Sequence, residues 1–282
     1  MNINQAIIIP TKIIVKSKKM NEDIYFVDSF TAKPFGGNPA GVVVLRGLRG
    51  DDWLQSIAKE IKLSETAFIL EKEGINHLRW FTPLIEVSLC GHATLAAAHV
   101  MFTHILSTKR NEILFETKSG PILCFQKDGW IWMRFPKYNL KPLNIHDDVT
   151  AAIGSTPKEV YKTGDNILAI FDDPQTINQC TPDLERITLL GGQGVIISSI
   201  SKEKGFDFIS RYFAPNIGIP EDPVTGSSHS SLAPYWAERL GKPELIAKQV
   251  SARGGILKTN VLEQAVEIGG QASLVIAGKI IG

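Results

Sequence analysis

Short apolar runs dominate the chain beyond position 20, and glycine, proline, asparagine and aspartate separate them at short intervals. That is the punctuation of antiparallel sheet rather than of long helices. Residues 24–27, 41–45, 65–70, 78–81, 113–116, 122–125 and 130–133 read as strands. Residues 167–171, 194–200, 206–213 and the stretches near 249–258 and 265–276 do the same further on. Helices are few. Asp51 and Asp52 cap a segment that places Trp53, Ile57, Ala58 and Ile61 on one face. A second helix runs from about Gly91 to Leu106, and its 93–102 stretch has no clear polar face. Such a helix is buried on all sides, and its small residues let surrounding strands come close. A third runs from about Ser227 to Leu240 and ends at Gly241, a good C-terminal cap.

The first nineteen residues break this pattern. Ile7, Ile8 and Ile9 precede Pro10, and the basic Lys16, Lys18 and Lys19 follow the apolar positions. A signal peptide places its charge first and has a longer apolar run. No stretch approaches the ~18 apolar residues of a membrane span. Residues 1–19 are therefore expected to be an extension outside the fold. The 282-residue length suits two domains. The expected division is 20–136 and 137–282, with the last strand or helix able to return to the first half.

Thirty basic side chains against 29 acidic ones leave a net charge of +1, so no broad field points to nucleic acid or an anionic membrane. Cys90, Cys124 and Cys180 are odd in number and widely spaced, which excludes a disulfide framework and a C-x-x-C metal site. A reducing, cytoplasmic setting is the expectation.

An internal repeat is the most informative feature. Arg79-Trp80-Phe81-Thr82-Pro83 resembles Arg211-Tyr212-Phe213-Ala214-Pro215. Cys90 follows the first proline by seven residues and Asp222 follows the second by seven. Each copy then enters a helix at a glycine, Gly91-His92 in one and Gly226-Ser227 in the other. On this count Cys90 is the counterpart of Asp222, and Pro223-Val224-Thr225 is an insertion. A helix N-terminus favours anions through its unpaired N–H groups and its dipole. Two such termini converging on one cleft could hold a carboxylate and stabilise an enolate-like intermediate.

These residues also carry a likeness. Asp28-Ser29-Phe30, Gly36-Gly37-Asn38-Pro39, Leu63-Ser64-Glu65-Thr66, Cys90-Gly91-His92 and Glu221-Asp222-Pro223-Val224-Thr225-Gly226-Ser227 together make the chain, from roughly Met20 onward, resemble the phenazine-biosynthesis F protein family (PhzF-like) in the diaminopimelate epimerase fold group. The resemblance implies an α+β fold of two pseudo-symmetric domains, each a β-barrel-like antiparallel or mixed sheet wrapped around a central helix. It implies a cofactor-independent, metal-free isomerase of a biosynthetic process, acting on a small-molecule carboxylate, without nucleic acid or membrane partners and as a homodimer. Glu65 matches the family's proton-moving glutamate, which partial burial next to Leu63, Phe68 and Ile69 would tune toward neutrality. For His92 the resemblance implies a substrate-binding or proton-relay role; Asp222 either shapes a turn before Pro223 or binds a substrate amine or hydroxyl, or orients Glu65. Gly91, Gly226 and Ser227 would offer N–H groups to a carboxylate, and Asn38 and Ser64 would be further contacts. His229 is expected to point into the fold.

Other readings stay open. A two-thiol epimerase or racemase of the same fold group would use Cys90, although neither Cys124 nor Cys180 is a convincing partner. A metabolite-binding protein could keep the fold without catalysis. A zinc hydrolase lacks H-E-x-x-H or similar spacing, and Gly191-Gly192-Gln193-Gly194 is a glycine turn entering a strand rather than a nucleotide loop.

Overall fold

The computed structural model of the chain describes residues 21–106 and 110–281. The extension expected at 1–19 lies outside the described residues. The first half contains β1 (Glu22–Ser29), β2 (Asn38–Leu45), α1 (Asp51–Ile61), β3 (Glu65–Lys72), β4 (Ile75–Phe81), β5 (Glu86–Val87), α2 (Gly91–Val100), β6 (Glu112–Glu116), β7 (Ile122–Lys127) and β8 (Trp130–Pro136). The second contains β9 (Lys141–Pro142), α3 (His146–Ile153), β10 (Glu159–Thr163), β11 (Asn166–Ile170), α4 (Pro174–Gln179), α5 (Leu184–Leu189), β12 (Gly194–Ile200), β13 (Phe208–Ala214), β14 (Ile219–Asp222), α6 (His229–Leu240), β15 (Glu244–Gln249), β16 (Gly255–Val261), β17 (Ala265–Gly270) and β18 (Ala272–Ile280). The fold is α+β and dominated by mixed sheet.

The duplication shows in the strand pairing. β1 runs antiparallel to β2, β2 parallel to β3, β3 antiparallel to β4, β4 parallel to β6, and β6–β7–β8 form an antiparallel meander. β10, β11, β12, β13, β15, β16 and β17 repeat that order and those directions. β8 pairs with β17, and β18 returns to pair with β1, so the two sheets are continuous. Side-chain contacts repeat as well. Arg79 binds Glu86 at 2.7 Å with its guanidinium 5.1 Å from the Phe81 ring; Arg211 binds Glu221 at 2.7 Å and sits 4.8 Å from Phe213.

This register corrects the alignment of the repeat. Trp80 lies opposite Val87, and its equivalent Tyr212 lies opposite Asp222. Val87 and Asp222 each stand four residues before the helix-start glycine. The counterpart of Cys90 is therefore Thr225, not Asp222. The three extra residues fall earlier, where Pro215–Ile217 form a 3-10 turn.

α2 is buried along its length, with Ala93, Ala96, Ala97 and Ala98 at 0% exposure under β1, β2, β3 and β8. Alanines cost no side-chain entropy and keep the strands close. A π turn, Met101–Ile105, carries the helix onward. α6 packs against β15, β16 and β17 and begins at His229 rather than Ser227. α1 lays Leu54 and Ala58 on Val43, Phe68 and Phe81. Its N-cap is Gly50; Asp51 and Asp52 occupy the first turn, where their charge complements the helix dipole instead of capping it. α3, α4 and α5 cover the outer face of the second sheet with Val149, Ile153, Ile177 and Ile187. The stretch near 249–258 is not one strand: it holds the end of β15, a turn at 250–254 and the start of β16.

The two halves touch at their helix starts. A Cβ on Gly91 would lie 3.1 Å from Gly226 Cα, and one on Gly226 would lie 3.2 Å from Gly91 Cα. Phe30 wedges in beside them. Its backbone is left-handed at φ 64°, its carbonyl accepts from Ile256 N at 3.0 Å, and its ring would meet a Cβ on Gly270 at 2.6 Å. Arg253, between β15 and β16, reaches back to Asp28 Oδ1 and to the carbonyls of Gly36 and Gly37 at 2.8 Å each. Gly226→Ala is expected to cost about 1–3 kcal/mol, because the methyl has no space between two backbones. Thermal melts should show a drop of about 2–10 °C. Gly50→Ala, where nothing lies within 4 Å, should move the transition far less.

Candidate active site

The junction gathers the residues singled out in the sequence. Glu65 is the first residue of β3 and is buried, as are Asn38 at the start of β2, His92 in the first turn of α2, and Asp222 at the end of β14. Gly91 and Gly226 are in contact, and Ser227 N stands 3.3 Å from where a Gly91 Cβ would be. Ser64 and Ser227 are half-buried at the rim. His229 points inward, as expected: its exposure is 0%, its Nδ1 lies 2.8 Å from Thr225 O, and its ring packs on Phe208.

Glu65 faces His92, with Oε2 3.3 Å from Nε2, and Ser64 Oγ lies 3.3 Å from the same nitrogen. Cys90 Sγ lies 3.5 Å from Nδ1 on the other edge of the ring. Burial pushes His92 down to about 3, so a neutral imidazole, not a cation, stands beside the carboxyl. Burial, and then the charge of Asp222, push Glu65 up to about 8; Ser64 and Cys90, acting as donors, pull the other way. Phe68, expected to help bury Glu65, lies on the opposite face of β3 against Phe81. Alternation along the strand puts Ala67 and Ile69, not Phe68, on the inner side.

Asp222 is held on both oxygens. Asn38 Nδ2 donates to Oδ1 at 2.7 Å and also to Val224 O at 2.9 Å, while Thr225 Oγ1 donates to Oδ2. Burial raises Asp222 to about 6 against these two donors. Its loop is fixed from behind. Gln249 donates to Asp222 O at 2.8 Å and accepts from Thr225 N at 2.9 Å, and Ser251 Oγ donates to Pro223 O at 2.6 Å. Tyr212 completes the wall; burial and then the charges of Asp222 and Glu65 raise its hydroxyl.

Among the described residues, Asn38 Oδ1 and Glu65 Oε2 are buried without a hydrogen-bond partner. Unpaired buried acceptors are costly and suit a ligand that brings donors. The first turn of α2 and the turn at 226–228 that leads into α6 add backbone N–H groups. Between pH 6 and 8 the pair splits: Asp222 is largely ionised and Glu65 largely protonated. Glu65, Cys90 and His92 offer metal-ligand atoms within 4.8 Å of one another. The thiol and the carboxyl face different ring nitrogens, however, so one ion could bind all three only after rearrangement.

Thr225 and Gln249 were not recognised in the sequence. Asp222-x-x-Thr225 is a spacing at which a hydroxyl can reach back to a carboxylate, a usable signal; nothing local marks Gln249.

The comparisons bear on family and fold. The family model described as phenazine biosynthesis-like protein matches residues 27–278. An uncharacterized isomerase of Pseudomonas aeruginosa is 44% identical over 261 residues, covering 93% of this chain and 99% of the relative. A crystal structure of a phenazine biosynthesis protein of the PhzF family from Enterococcus faecalis superposes with a TM-score of 0.88 at 40% identity, covering 93% of this chain and 99% of the other. A probable proline racemase from Agrobacterium radiobacter shares the fold, with a TM-score of 0.65 at 11% identity and 92% of each chain covered. Among the described residues, no helix is long and apolar enough to cross a membrane.

The buried Glu65 has a stability signature. Its carboxyl binds a proton more tightly in the folded chain than in the unfolded one, where it titrates near the ordinary 4.5, so the folded state holds more protons from there up to about pH 8. Stability is then lost as pH rises through that window. Glu65→Gln should therefore melt at least about 3 °C above the wild type at pH 8.5. The difference should vanish below about pH 4, where the carboxyl is protonated in both states. Equal melting at both pH values would show that Glu65 is not perturbed by burial.

Proposed function

Because the chain belongs to the phenazine biosynthesis-like family, we propose that it is a cofactor-independent isomerase that moves a proton on a small carboxylic acid, with Glu65 as the general acid/base. The observation that carries this reading is the Glu65 carboxyl itself, buried beside His92 with one oxygen unpaired; burial and the charge of Asp222 push it up to about 8. Near neutrality both of its forms are populated, so one group can take a proton from one carbon and return it to another. The substrate carboxylate docks on the N–H groups at Gly91, Gly226 and Ser227, where the helix ends stabilise the charge of an enolate-like intermediate. Neutral His92 and half-buried Ser64 orient the substrate beside Glu65. Asp222, fixed by Asn38 and Thr225, receives an amine or hydroxyl of the substrate and keeps Glu65 high through its charge. The reaction is redox-neutral and needs only an acid/base group and an anion site.

The two-thiol reading loses support from the register. The position equivalent to Cys90 holds Thr225, whose hydroxyl is committed to Asp222. Burial and the charge of Glu65 also raise Cys90 well above the ordinary thiol range.

The test is incubation with a panel of small carboxylic acids in deuterated water, reading deuterium incorporation at carbon by mass spectrometry. Wild type should exchange at least one member. Glu65→Gln should lower that rate about 100-fold or more, and Cys90→Ser should retain it. Full exchange by Glu65→Gln would overturn the assignment. Tight binding of a panel member without exchange would favour the metabolite-binding alternative.

A further inference from the structure

The loop that carries Asp222 is held by one amide. Leu245, Ala247 and Gln249 face inward along β15, so a fully buried polar side chain follows two apolar ones. Two backbone groups fix its orientation. The Thr225 N–H can only donate, so its partner at 2.9 Å is Gln249 Oε1; the Asp222 carbonyl can only accept, so its partner at 2.8 Å is Nε2. The second hydrogen of Nε2 then meets Thr225 Oγ1 at 3.2 Å, and that oxygen accepts it. A hydroxyl has one hydrogen, and that of Thr225 is left for Asp222 Oδ2. We propose that Gln249 is a positioning residue: it sets the direction of the Thr225 hydroxyl, makes it a donor to Asp222, and so keeps Asp222 ionised in the site.

The other oxygen of Asp222 is governed in the same way. The Val224 carbonyl can only accept, so the Asn38 atom 2.9 Å from it is Nδ2, which also donates to Asp222 Oδ1 at 2.7 Å. Both carboxylate oxygens therefore receive hydrogens whose direction backbone groups decide. A protonated Asp222 would have to give its own hydrogen to one of these donors. Thr225 Oγ1, already accepting from Gln249, would take it only by turning its hydrogen away from Asp222 in a buried place. That loss disfavours the neutral acid. It works against burial, which raises Asp222. The titratable groups around Asp222 are Glu65 of β3, Cys90 before α2, Tyr212 of β13, and Glu221 beside it on β14, which is bound to Arg211. These act on Asp222 through negative charge when ionised. Gln249 carries no charge and acts through hydrogen-bond direction.

The catalytic meaning of this role rests on the proton transfer proposed for Glu65, which the charge of Asp222 holds high; the experiment reads Asp222 itself and needs no substrate. Protein labelled with carbon-13 at aspartate side-chain carboxyls is titrated by NMR, with the Asp222 resonance assigned by its loss in Asp222→Asn. Thr225→Val, which removes the hydroxyl, should raise the Asp222 midpoint by about one pH unit or more. Thr225→Ser, which keeps the hydroxyl, should stay near the wild type. Gln249→Met should raise the midpoint by about half a unit or more. The two effects should not add: in a Thr225→Val background, Gln249→Met should move the midpoint by less than about 0.3 units. An unchanged midpoint in Gln249→Met overturns the proposal. So does an equal shift with and without the Thr225 hydroxyl, the result of an amide that only shapes the loop. If Gln249→Met does not fold, Gln249→Glu, of the same size with a hydrogen fewer, carries the same comparison. Its added charge acts in both backgrounds, so the rise should be larger where the Thr225 hydroxyl is present, and equal rises overturn the proposal. If no acid in the exchange panel reacts, the function proposed above fails while these titrations still decide the role of Gln249.

Discussion

The structure depends on one close approach, the contact between the backbones of Gly91 and Gly226. A helix of ordinary residues cannot bring its first turn against another helix's first turn at this distance, because each Cβ would sit within about 3 Å of the opposing chain. With hydrogens in both places, the start of α2 meets the turn that leads into α6. Everything chemical then follows in sequence order. The residues just before each glycine, Cys90 and Thr225, and those just after, His92 and Ser227, are carried to the same small volume. Phe30, Gln249 and Arg253 act as a frame around that contact, tying the 28–38 segment of the first half to the 222–225 loop of the second.

The duplication is alike in backbone and unlike in chemistry, and strand register shows where the halves part. Thr66 pairs with Phe81, and Val195 pairs with Phe213, so Glu65 and Gly194 are equivalent positions. Gly194 has no latitude: a Cβ there would lie 2.1 Å from Phe213 O. The second half therefore cannot mirror Glu65 with a carboxyl of its own. Its acid, Asp222, arrives from a different position, opposite Tyr212, where the first half has Val87. The site is consequently one-sided. A carboxyl at Glu65 faces a carboxylate that is already committed to Asn38 and Thr225; burial raises both, and Glu65 is raised further by the charge of Asp222.

Much of this was legible in the amino-acid order. The long strands were marked by apolar runs and turn residues, and α2 by an alanine-rich stretch with no polar face. Glu65, His92, Asp222, Asn38 and the helix-start glycines came from motifs, and the fold brings them together. What escaped has physical reasons. α4 and α5 are six residues each, too short for helical periodicity, although Asp173 and Asp183 cap them through Gln175 N and Arg186 N. α3 carried an acidic first turn and Gly154 at its end, signals outweighed by the surrounding sheet pattern. Counting from the prolines paired Cys90 with Asp222, because a short insertion can be placed before or after a motif and only hydrogen-bonded register decides between them. Gln249 acts over 24 and 27 residues of sequence, a separation at which nothing local marks a partner.

The same interior explains why the surrounding fold is so heavily packed. The site buries an ionised Asp222, a largely protonated Glu65 and a neutral imidazole and leaves two acceptors unpaired, each a cost to folding. Among the described residues no cation is set against Glu65 to relieve it; Asp222 makes matters worse by repelling its ionised form. A group relieved by an ion pair would titrate far below neutrality and could not exchange protons with carbon acids near pH 7. Stability must therefore come from elsewhere: from α2 enclosed by four strands, from the outer layers of α1 and of α3 to α5, and from the Arg253–Asp28 tie across the junction. The cost at the site and the rigidity around it are two consequences of the same requirement, a carboxyl held dry with its proton still in reach.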